Sequence, residues 1–414
     1  MKAEIITIGD ELLIGQTANT NAQWMAQKLS DLGLQVLHIT TISDELRWIS
    51  QALEQAHKRA DIVLVTGGLG PTRDDVTRKA ISGFFKVDWK MHPEVYRRLE
   101  NYLAERGYGV SELNKNQAMT PEGARVFINR VGTAPGMGLD KSGCRFYFMP
   151  GVPAEMRALM ETHIIPDVKS QGGKNHFLYK IILTQGLPEA HLADKLKDFE
   201  RRLPSAMMLA YLPEGGMVRL RLGCRGTDKA RLQQELGQWL NELTGLIAPY
   251  IVHIGDEPLE ALIGQLLNQH HWTLATGESC TGGAIAQRIT SVSGSSRYYK
   301  GSVVAYSNEI KMRLLGVAAS TLEQHGAVSK PVVMEMARGA IHAFQTDCAV
   351  AVSGIAGPTG GTPDKSVGTT WIAVASPEKT HAQVFHFGSH RELNIRKASN
   401  TALVLLKRLI THEI

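Results

Sequence analysis

One segment in the last third of the chain combines a hydroxyl, a thiol and glycines where a strand gives way to a helix. It reads Thr276-Gly277-Glu278-Ser279-Cys280-Thr281-Gly282-Gly283. Glycines let a ligand approach the backbone, and a helix start offers unpaired N–H groups at the positive end of its dipole. Ser279 could therefore attack a carbonyl carbon while the N–H groups of Thr281, Gly282 or Gly283 hold the oxyanion. The alternative is that Ser279 or Thr281 only caps the helix.

A serine nucleophile needs a base, and a second segment offers two candidates. Tyr306-Ser307-Asn308-Glu309-Ile310-Lys311 carries a tyrosine and a lysine at a strand-to-helix junction. A desolvated Lys311 or an assisted Tyr306 could accept the serine proton, although a solvated lysine and a packed aromatic are the alternatives. Cys280 is a rival nucleophile, because a helix N-terminus lowers the pKa of a thiol. No histidine stands in these motifs to serve as its base.

A third segment follows a buried strand and is rich in glycine. It reads Ser353-Gly354-Ile355-Ala356-Gly357-Pro358-Thr359-Gly360-Gly361. Such a loop is typical of a phosphate or ribose site, with a long glycine turn as the alternative.

Together these segments resemble the C-terminal domain of the CinA family (competence/damage-inducible protein A), which includes nicotinamide mononucleotide deamidases. The similarity runs from about Asp256 to the C-terminus and includes Val367-Gly368-Thr369-Thr370-Trp371. The resemblance implies hydrolysis of nicotinamide mononucleotide to nicotinic acid mononucleotide and ammonia, without a cofactor. By the same resemblance Ser279 is the nucleophile, Tyr306 and Lys311 activate it, and substrate contacts fall on the residues Thr281, Gly282, Gly283, Ser353, Gly354 and Gly357.

The first part of the chain has a second constellation at strand ends. Gly9-Asp10-Glu11 follows one apolar strand, and Thr66-Gly67-Gly68-Leu69-Gly70-Pro71-Thr72-Arg73-Asp74-Asp75 follows another. Phosphate oxygens prefer backbone N–H groups, and Mg²⁺-like ions prefer carboxylates with phosphate oxygens. The pattern predicts a phosphorylated ligand held with a divalent metal, unless Asp74 and Asp75 merely favour the start of the next helix.

Residues 1–168 resemble the molybdopterin-binding (MoaB/Mog-like) domain that begins full-length CinA proteins. Ser43-Asp44-Glu45, Gly132-Thr133-Ala134-Pro135-Gly136 and Pro150-Gly151-Val152-Pro153 fit the same family pattern. The resemblance implies hydrolysis of ADP-ribose with Mg, Mn or Co, Asp74 and Asp75 as metal ligands, and a site containing Asp10, Glu11, Asp44, Gly67, Gly68 and Gly70. Asn19, Asn116 and Arg130 depart from the pattern, so a non-catalytic module binding molybdopterin or a nucleotide is the alternative.

The elements that must position these residues alternate between strand and helix. Apolar runs predict strands at Glu4–Ile8 and Asp61–Thr66, and the segment Glu45–Lys58 between them has the periodicity of a helix. This alternation predicts a parallel sheet covered by helices. In such sheets ligands lie beyond the carboxyl ends of the strands. The same alternation restarts near Asp256, where Gly368–Ala375 and Ala382–Phe387 are predicted as antiparallel edge strands.

The predicted fold class is α/β in three domains. These are residues 1–168 (MoaB/Mog-like), 175–252 and 256–414 (the CinA deamidase domain), with a linker at Ser170–Lys174. The middle module, an α+β module, resembles the KH-like domain of CinA but has no GXXG loop, so its Arg219, Arg221 and Arg225 face is expected to be solvated.

Composition narrows the class of protein. Apolar residues make up 43% and charged residues 21% of 414, and the net charge of +5 comes from scattered basic residues, which does not indicate nucleic-acid binding. No apolar run reaches the length of a membrane span, no signal peptide is predicted, and the four cysteines form no CxxC. We expect a cytoplasmic homodimer that acts on nicotinamide mononucleotide and ADP-ribose. A purely structural role in DNA uptake is disfavoured by the serine constellation.

Overall fold

The structure is a computed structural model that describes residues 1–69, 76–170 and 176–414. The chain divides into two compact units, one of residues 1–179 with 223–237 and the other of residues 180–222 with 238–414. Gly70, Asp74, Asp75 and most of the predicted linker lie outside the described residues. None of the helices in these described ranges is both long and apolar enough to cross a lipid bilayer.

The first 170 residues form two sheets flanked by helices. The strands are β1 Lys2–Ile8, β2 Gln35–Ile42, β3 Ile62–Thr66, β4 Trp89–Met91, β5 Met119–Pro121, β6 Arg125–Phe127, β7 Gly136–Lys141 and β8 Cys144–Met149. The helices are α1 Asp10–Leu13, α2 Thr20–Asp31, α3 Leu46–His57, α4 Val76–Phe85, α5 Pro93–Ala104, α6 Glu112–Gln117, α7 Pro153–Leu159 and α8 Ile165–Ser170.

The main N-terminal sheet has the order β2-β1-β3-β8-β7-β6. Strands β2, β1, β3 and β8 are parallel, whereas β7 and β6 are antiparallel to their neighbours. The predicted parallel sheet is therefore confirmed and extended by two antiparallel strands. Because β1 and β3 pair with Thr7 beside Thr66, the glycine turns that follow them meet at one edge of the sheet.

Residues 176–254 form a four-stranded sheet with two helices. The elements are β9 His176–Gln185, α9 Glu189–Arg202, β10 Met207–Glu214, β11 Met217–Gly226, α10 Lys229–Ile247 and β12 Ile251–Ile254, and the strand order is β10-β11-β9-β12. Arg219 lies 2.9 Å from a carboxylate oxygen of Glu214 and 3.3 Å from one of Asp256. This basic side chain is thus neutralised within the protein.

The C-terminal part is a five-stranded sheet with helices on both faces. Its elements are α11 Leu259–His270, β13 Leu274–Glu278, α12 Ala284–Thr290, β14 Tyr299–Val304, α13 Asn308–Leu315, α14 Ala319–His325, α15 Lys330–Phe344, β15 Cys348–Gly354, β16 Thr369–Ala375, β17 Thr380–His386 and α16 Arg391–Ile410. The order is β14-β13-β15-β16-β17, and β13 is parallel to both β14 and β15.

The last two strands are antiparallel, as predicted, but only β17 is an edge strand. Strand β16 pairs with β15 on one side and β17 on the other. Its sequence, Thr-Thr-Trp-Ile-Ala-Val-Ala, is buried almost throughout, which suits an interior strand. The prediction of two edge strands was therefore wrong for β16. A sequence pattern that indicates an antiparallel strand does not show whether that strand has a neighbour on one side or on both sides.

Along strand β15, large and small side chains alternate, and this alternation determines which helices pack on each face of the sheet. Along β15, Val350 and Val352 belong to the core on one face, while Ala349 and Ala351 belong to the core on the other. Side chains alternate between the faces of a strand, so one face is bulky and the other almost smooth. Helix α15 packs on the alanine face, and α11 and α16 contribute to the core on the valine face.

Candidate active site

Ser279 lies directly beyond the carboxyl end of the central strand β13. Its N–H donates to the carbonyl oxygen of Val352 at 2.9 Å, which extends the pairing with β15 by one residue. The chain then turns through residues 279–283 before α12 begins. Gly282 and Gly283 have φ values of +63° and +97°, a left-handed conformation that glycine adopts without steric cost. These glycines are therefore needed for the turn that holds Ser279, a residue that is only 7% exposed.

A buried carboxylate anchors this turn from the residue before the serine. One oxygen of Glu278 accepts hydrogen bonds from the N–H groups of Gly283 at 3.0 Å and Ile285 at 3.1 Å. The other accepts from Ala286 at 2.8 Å, and the residue is fully buried. Glu278 thus satisfies the free N–H groups at the start of α12 from outside the helix. Glu278 is not among the site residues predicted from the sequence, although it lies inside the Thr276–Gly283 motif.

Lys311 is the partner of the serine hydroxyl. Its Nζ lies 3.1 Å from Ser279 Oγ and donates to the carbonyl oxygen of Ala305 at 2.8 Å. The lysine is on α13 and only 2% exposed. Burial lowers the pKa of Lys311 below its ordinary value, since a charged amine loses its hydration inside the protein. Serine and lysine, predicted from separate motifs, therefore form a buried pair with the geometry of a nucleophile and its base.

Cys280 has the surroundings of an inert thiol. Burial raises its pKa to about 12, so the thiolate is scarce at neutral pH. No hydrogen bond joins its sulfur to a base among the residues that the structure describes. The neighbouring serine, by contrast, contacts an amine, which favours Ser279 as the nucleophile.

The N–H groups around Ser279 are not equally free to bind an oxyanion. Gly282 donates to the carbonyl oxygen of Ser279 at 3.1 Å, and Gly283 donates to Glu278. Of the two groups that directly follow the serine, Cys280 and Thr281, neither N–H donates to another described residue. Of the three predicted oxyanion donors, Thr281, Gly282 and Gly283, the structure leaves only the N–H of Thr281 free among the described residues, because the other two are used within the turn.

The two other predicted segments reach the same cavity. It measures about 180 Å³ and its lining includes Ser279, Lys311, Ser353, Gly354 and Tyr306. The hydroxyl of the buried Ser353 donates to the carbonyl oxygen of Ala327 at 2.7 Å, so this hydrogen bond joins two residues of the cavity wall. A side chain at Gly354 would approach Cys280 Sγ to 3.0 Å, which leaves no room for a larger residue.

Tyr306 lies at the mouth of this cavity rather than beside the nucleophile. It is 63% exposed, and its hydroxyl accepts a hydrogen bond from Arg391 at 3.0 Å. It forms no hydrogen bond with Ser279 or Lys311 in the described structure. The pair of activating residues expected from the resemblance is thus divided, with the lysine at the serine and the tyrosine at the entrance.

Arg391 is a cationic residue of the cavity that sequence reasoning missed. It is the first residue of α16, and it also donates to the carbonyl oxygen of Gly357 at 2.9 Å. Arg391 therefore connects the predicted phosphate loop to Tyr306. Nothing local in the sequence marks it, because the arginine lies far from every other residue of the cavity along the chain.

The N-terminal turns form a separate, smaller cavity of about 100 Å³, which Glu11, Asn21 and Gly67 help to line. Gly67 has a φ of +100°, and a Cβ there would lie 2.0 Å from the carbonyl oxygen of Ile8, so this position requires glycine. The buried Oδ1 of Asn21 has no hydrogen-bond partner within the described ranges. An unpaired acceptor in a cavity suits a polar ligand.

The predicted carboxylates are arranged around the neighbouring turns. Asp10 accepts from the hydroxyl of Ser43 at 2.7 Å, and Asp44 accepts from Thr77 at 3.5 Å. A Cβ at Gly68 would meet the Thr77 hydroxyl at 2.2 Å. Among residues 1–69, 76–170 and 176–414, no three His, Cys, Asp or Glu side chains converge as metal ligands. Asp74, Asp75 and Gly70 lie outside these ranges, so their predicted roles stay predictions.

Asn19, noted as a departure from the family pattern, has a structural role. Its Oδ1 accepts from the N–H of Ala22 and caps α2, while its Nδ2 donates to the hydroxyls of Thr7 and Thr41. The amide supplies both donors and an acceptor, which a carboxylate could not do.

Comparisons with known protein families match almost the whole chain. Residues 256–410 match the family "CinA C-terminal domain", residues 4–170 match "Probable molybdopterin binding domain", and residues 179–252 match "Damage-inducible protein CinA KH domain". The predicted α/β fold class with these three components is confirmed.

Full-length relatives give the same result. A "CinA-like protein" of Flavobacterium psychrophilum is 40% identical over 99% of both chains, and one of Cytophaga hutchinsonii is 42% identical over 98% of this chain and 97% of its own. A solved structure of competence damage-inducible protein A from Klebsiella pneumoniae is 36% identical, covers 37% of this chain and 96% of its own, and has a TM-score of 0.36.

Proposed function

The chain belongs to the CinA family, and on that premise we propose that its C-terminal part is an amidohydrolase that deamidates nicotinamide mononucleotide. The observation that carries this proposal is the 3.1 Å contact between Lys311 Nζ and Ser279 Oγ in a buried position. Among the described residues, Lys311 is the one titratable side chain that forms a hydrogen bond with this hydroxyl. We therefore assign proton transfer to Lys311 and not to Tyr306.

In the first half of the reaction, Ser279 Oγ attacks the carboxamide carbon and its proton passes to the neutral amine of Lys311. The carbonyl oxygen of Ala305 accepts one N–H of that amine, which leaves the lone pair free to face the serine. The backbone N–H groups of Cys280 and Thr281 hold the negative oxygen that develops. Such a donor is typically worth about 10²–10³ in rate.

In the second half, the C–N bond breaks and Lys311 returns the proton to the departing nitrogen, so ammonia leaves and an ester remains on Ser279. Water then attacks the ester carbon and gives a proton to Lys311. The bond to Ser279 Oγ breaks as the lysine protonates that oxygen. One carboxamide and one water are thus converted to one carboxylic acid and one ammonia, and neither a metal nor a cofactor enters the cycle.

Substrate recognition is assigned to the residues at the cavity entrance. The guanidinium of Arg391 is a cation suited to the phosphate of a mononucleotide, because its fork of N–H donors matches phosphate oxygens. It is already oriented by Gly357 and Tyr306. The exposed ring of Tyr306 offers a flat face to the pyridine ring of the substrate.

The test is an ammonia-release assay on nicotinamide mononucleotide with the full chain. Wild-type protein should release ammonia in the presence of a chelator. Ser279→Ala should fold and bind the mononucleotide but release essentially none, since covalent catalysis is lost. Release that stops on adding chelator, or that persists in Ser279→Ala, would rule out the serine mechanism.

For the N-terminal part we propose hydrolysis of ADP-ribose to AMP and ribose 5-phosphate with Mg, Mn or Co. The carboxylates of Asp10 and Asp44 are hard oxygen donors of the kind these ions prefer, and Asp74 and Asp75 are the predicted ligands. A bound divalent ion would supply charge neutralisation for the pyrophosphate. The unpaired Oδ1 of Asn21 in the adjacent cavity suits the polar ribose or phosphate portion.

A second candidate for this part is a non-catalytic module that binds molybdopterin or a nucleotide. It is favoured by Asn19, which replaces a family carboxylate and uses its amide in three hydrogen bonds. Incubation of the full chain with ADP-ribose and each metal decides between the two, because only the enzyme produces AMP.

We further propose a homodimer, to be checked by light scattering.

A further inference from the structure

We propose that residues 180–222 and 238–414 carry a second ligand site, separate from the Ser279 cavity, that binds a nucleotide through its base and phosphate. The site is a cavity of about 570 Å³, which no residue of the Ser279 cavity lines. This volume lies within the range of small-molecule sites in proteins, roughly 300–1,000 Å³. The reaction proposed above makes no use of it.

One face of helix α16 forms the floor of the cavity. Lys397, Thr401, Leu405 and Arg408 line it, and their spacing of four, four and three residues places them on one side of a helix. The two cations stand eleven residues apart, which corresponds to about 16 Å along the axis. Between them, Thr401 and Leu405 are buried. A negatively charged group of a ligand can therefore bind at either end of this helix face, to Lys397 or to Arg408.

Two aromatic rings on β17 and the residue after it form a wall. Phe385 and Phe387 lie on the same side of the strand, their ring centroids are 5.7 Å apart and their planes differ by 1°. The two rings are therefore parallel and stacked as an offset pair, which makes this wall apolar and aromatic. Aromatic side chains bind planar bases by stacking, with little dependence on the identity of the base.

The opposite wall is attached to the floor by hydrogen bonds. Asn400 Nδ2 donates to the carbonyl oxygen of Gly215 at 2.9 Å, and Gln185 Nε2 donates to the hydroxyl of Thr401 at 3.0 Å. These bonds join the β10–β11 turn and the end of β9 to α16. The cavity is therefore formed before a ligand arrives, which is typical of small-molecule sites.

The charge of the lining selects an anion. Lys397 donates to the carbonyl oxygen of Phe387 at 3.2 Å, but neither Lys397 nor Arg408 forms an ion pair with a carboxylate of the described residues. Glu189 is the one carboxylate in the lining, and it is exposed. The carboxylate of Glu413, which pairs with Lys407, is close enough to Arg408 to interact with it electrostatically, so Lys397 is the less compensated of the two cations. Cations beside parallel aromatic rings match a planar base that carries phosphate.

The experiment measures binding of AMP to the full chain by isothermal titration calorimetry. Because Lys397 and Arg408 are about 16 Å apart, the single phosphate of AMP can contact only one of them. Either Lys397→Ala or Arg408→Ala should therefore weaken one binding event by about 10- to 100-fold, the usual effect of losing a charge-assisted hydrogen bond, while the other variant changes it little. The matched control is Lys300→Ala, an exposed lysine outside the cavity. AMP that binds elsewhere on the chain would be unaffected by the cavity variants. Wild-type AMP binding in both cavity variants would overturn the proposal.

A second measurement locates the nucleotide without any variant. Photo-cross-linking of wild-type protein with 8-azido-AMP should label peptides that contain residues 185–189 or 383–387, and excess AMP should compete. Adducts found only in other peptides would overturn the proposal. Phe385→Leu, an exchange of one apolar side chain for another, should weaken AMP binding but leave the binding of inorganic phosphate unchanged.

Discussion

Glu278→Gln tests whether the buried carboxylate beside the nucleophile positions the catalytic turn. Glutamine has nearly the same shape, but it has one acceptor oxygen and no charge. That oxygen can still accept from Gly283 and Ile285, which share one carboxylate oxygen in the structure. The amide nitrogen must then face the N–H of Ala286, so a donor meets a donor where the carboxylate accepted at 2.8 Å.

The cost follows from the three backbone contacts, because the hydroxyl of Thr276, 3.5 Å from the second carboxylate oxygen, can rotate to accept from the amide. A buried N–H left without an acceptor costs about 1–3 kcal/mol, and the two remaining bonds each lose about 1 kcal/mol with the charge. The sum is about 3–5 kcal/mol, which is large beside the roughly 5–15 kcal/mol stability of a typical domain. Because the loss falls on the first turn of α12, that turn and the N–H groups of Cys280 and Thr281 should lose their fixed orientation.

Two measurements separate positioning from general instability. Hydrogen exchange with mass spectrometry should show faster exchange in the peptide covering residues 279–290, while peptides from α15 stay protected. In the ammonia-release assay, kcat should fall about 10²–10³-fold, the typical effect of one lost oxyanion donor, with KM near the wild-type value. Among the described residues, the side chain of Glu278 forms hydrogen bonds with Thr276, Gly283, Ile285 and Ala286, none of which lines the cavity, so its effect on KM should be small.

Glu309→Gln is the matched control. Glu309 is an exposed residue of α13 whose pair with Arg313 is 3.4 Å long. Such a surface pair typically contributes about 0.3–0.5 kcal/mol, so exchange and kcat should stay at wild-type values. Wild-type exchange in residues 279–290 together with wild-type kcat in Glu278→Gln would refute the reasoning.

Other predictions concern the base, the thiol, the turn and the N-terminal site. Lys311→Arg should abolish ammonia release, and a fully active variant would mean that the lysine only binds phosphate. Wild-type kcat should rise with pH through the lowered pKa of Lys311, because the neutral amine is the base and its fraction grows with pH. Cys280→Ala should keep most deamidase activity, since a thiol with a pKa of about 12 is not the nucleophile, and an inactive variant would contradict this. Gly282→Ala should lower kcat and the melting temperature, because a left-handed alanine costs about 1–2 kcal/mol; unchanged values of both would show that the turn tolerates a side chain. Asp75→Asn should remove metal-dependent ADP-ribose hydrolysis, measured as AMP formation, without changing deamidation, and wild-type AMP formation would exclude Asp75 as a ligand.

Local patterns in the sequence predicted most of the scaffold. Short apolar runs such as Asp61–Thr66 and Cys348–Val352, which are rich in β-branched residues, predicted buried strands between helices, and β3 and β15 are found there. The glycine turns could be placed at strand ends for the same reason. These features depend on residues close together in the chain, so no knowledge of distant neighbours was needed. The order of β16 and β17 in the sheet did depend on distant neighbours, and there the prediction of two edge strands was wrong.

The sequence by itself determined which side chains are available for chemistry, namely a serine in a glycine turn, a lysine on the next helix and a glycine loop after a buried strand. Only the tertiary structure decided which of these side chains lie together. Lys311 and Tyr306 are five residues apart, yet one points into the core at Ser279 while the other reaches Arg391 at the surface. Burial and contact between residues distant in the chain arise from packing, because the pKa of an amine and the direction of a hydroxyl depend on everything that surrounds them.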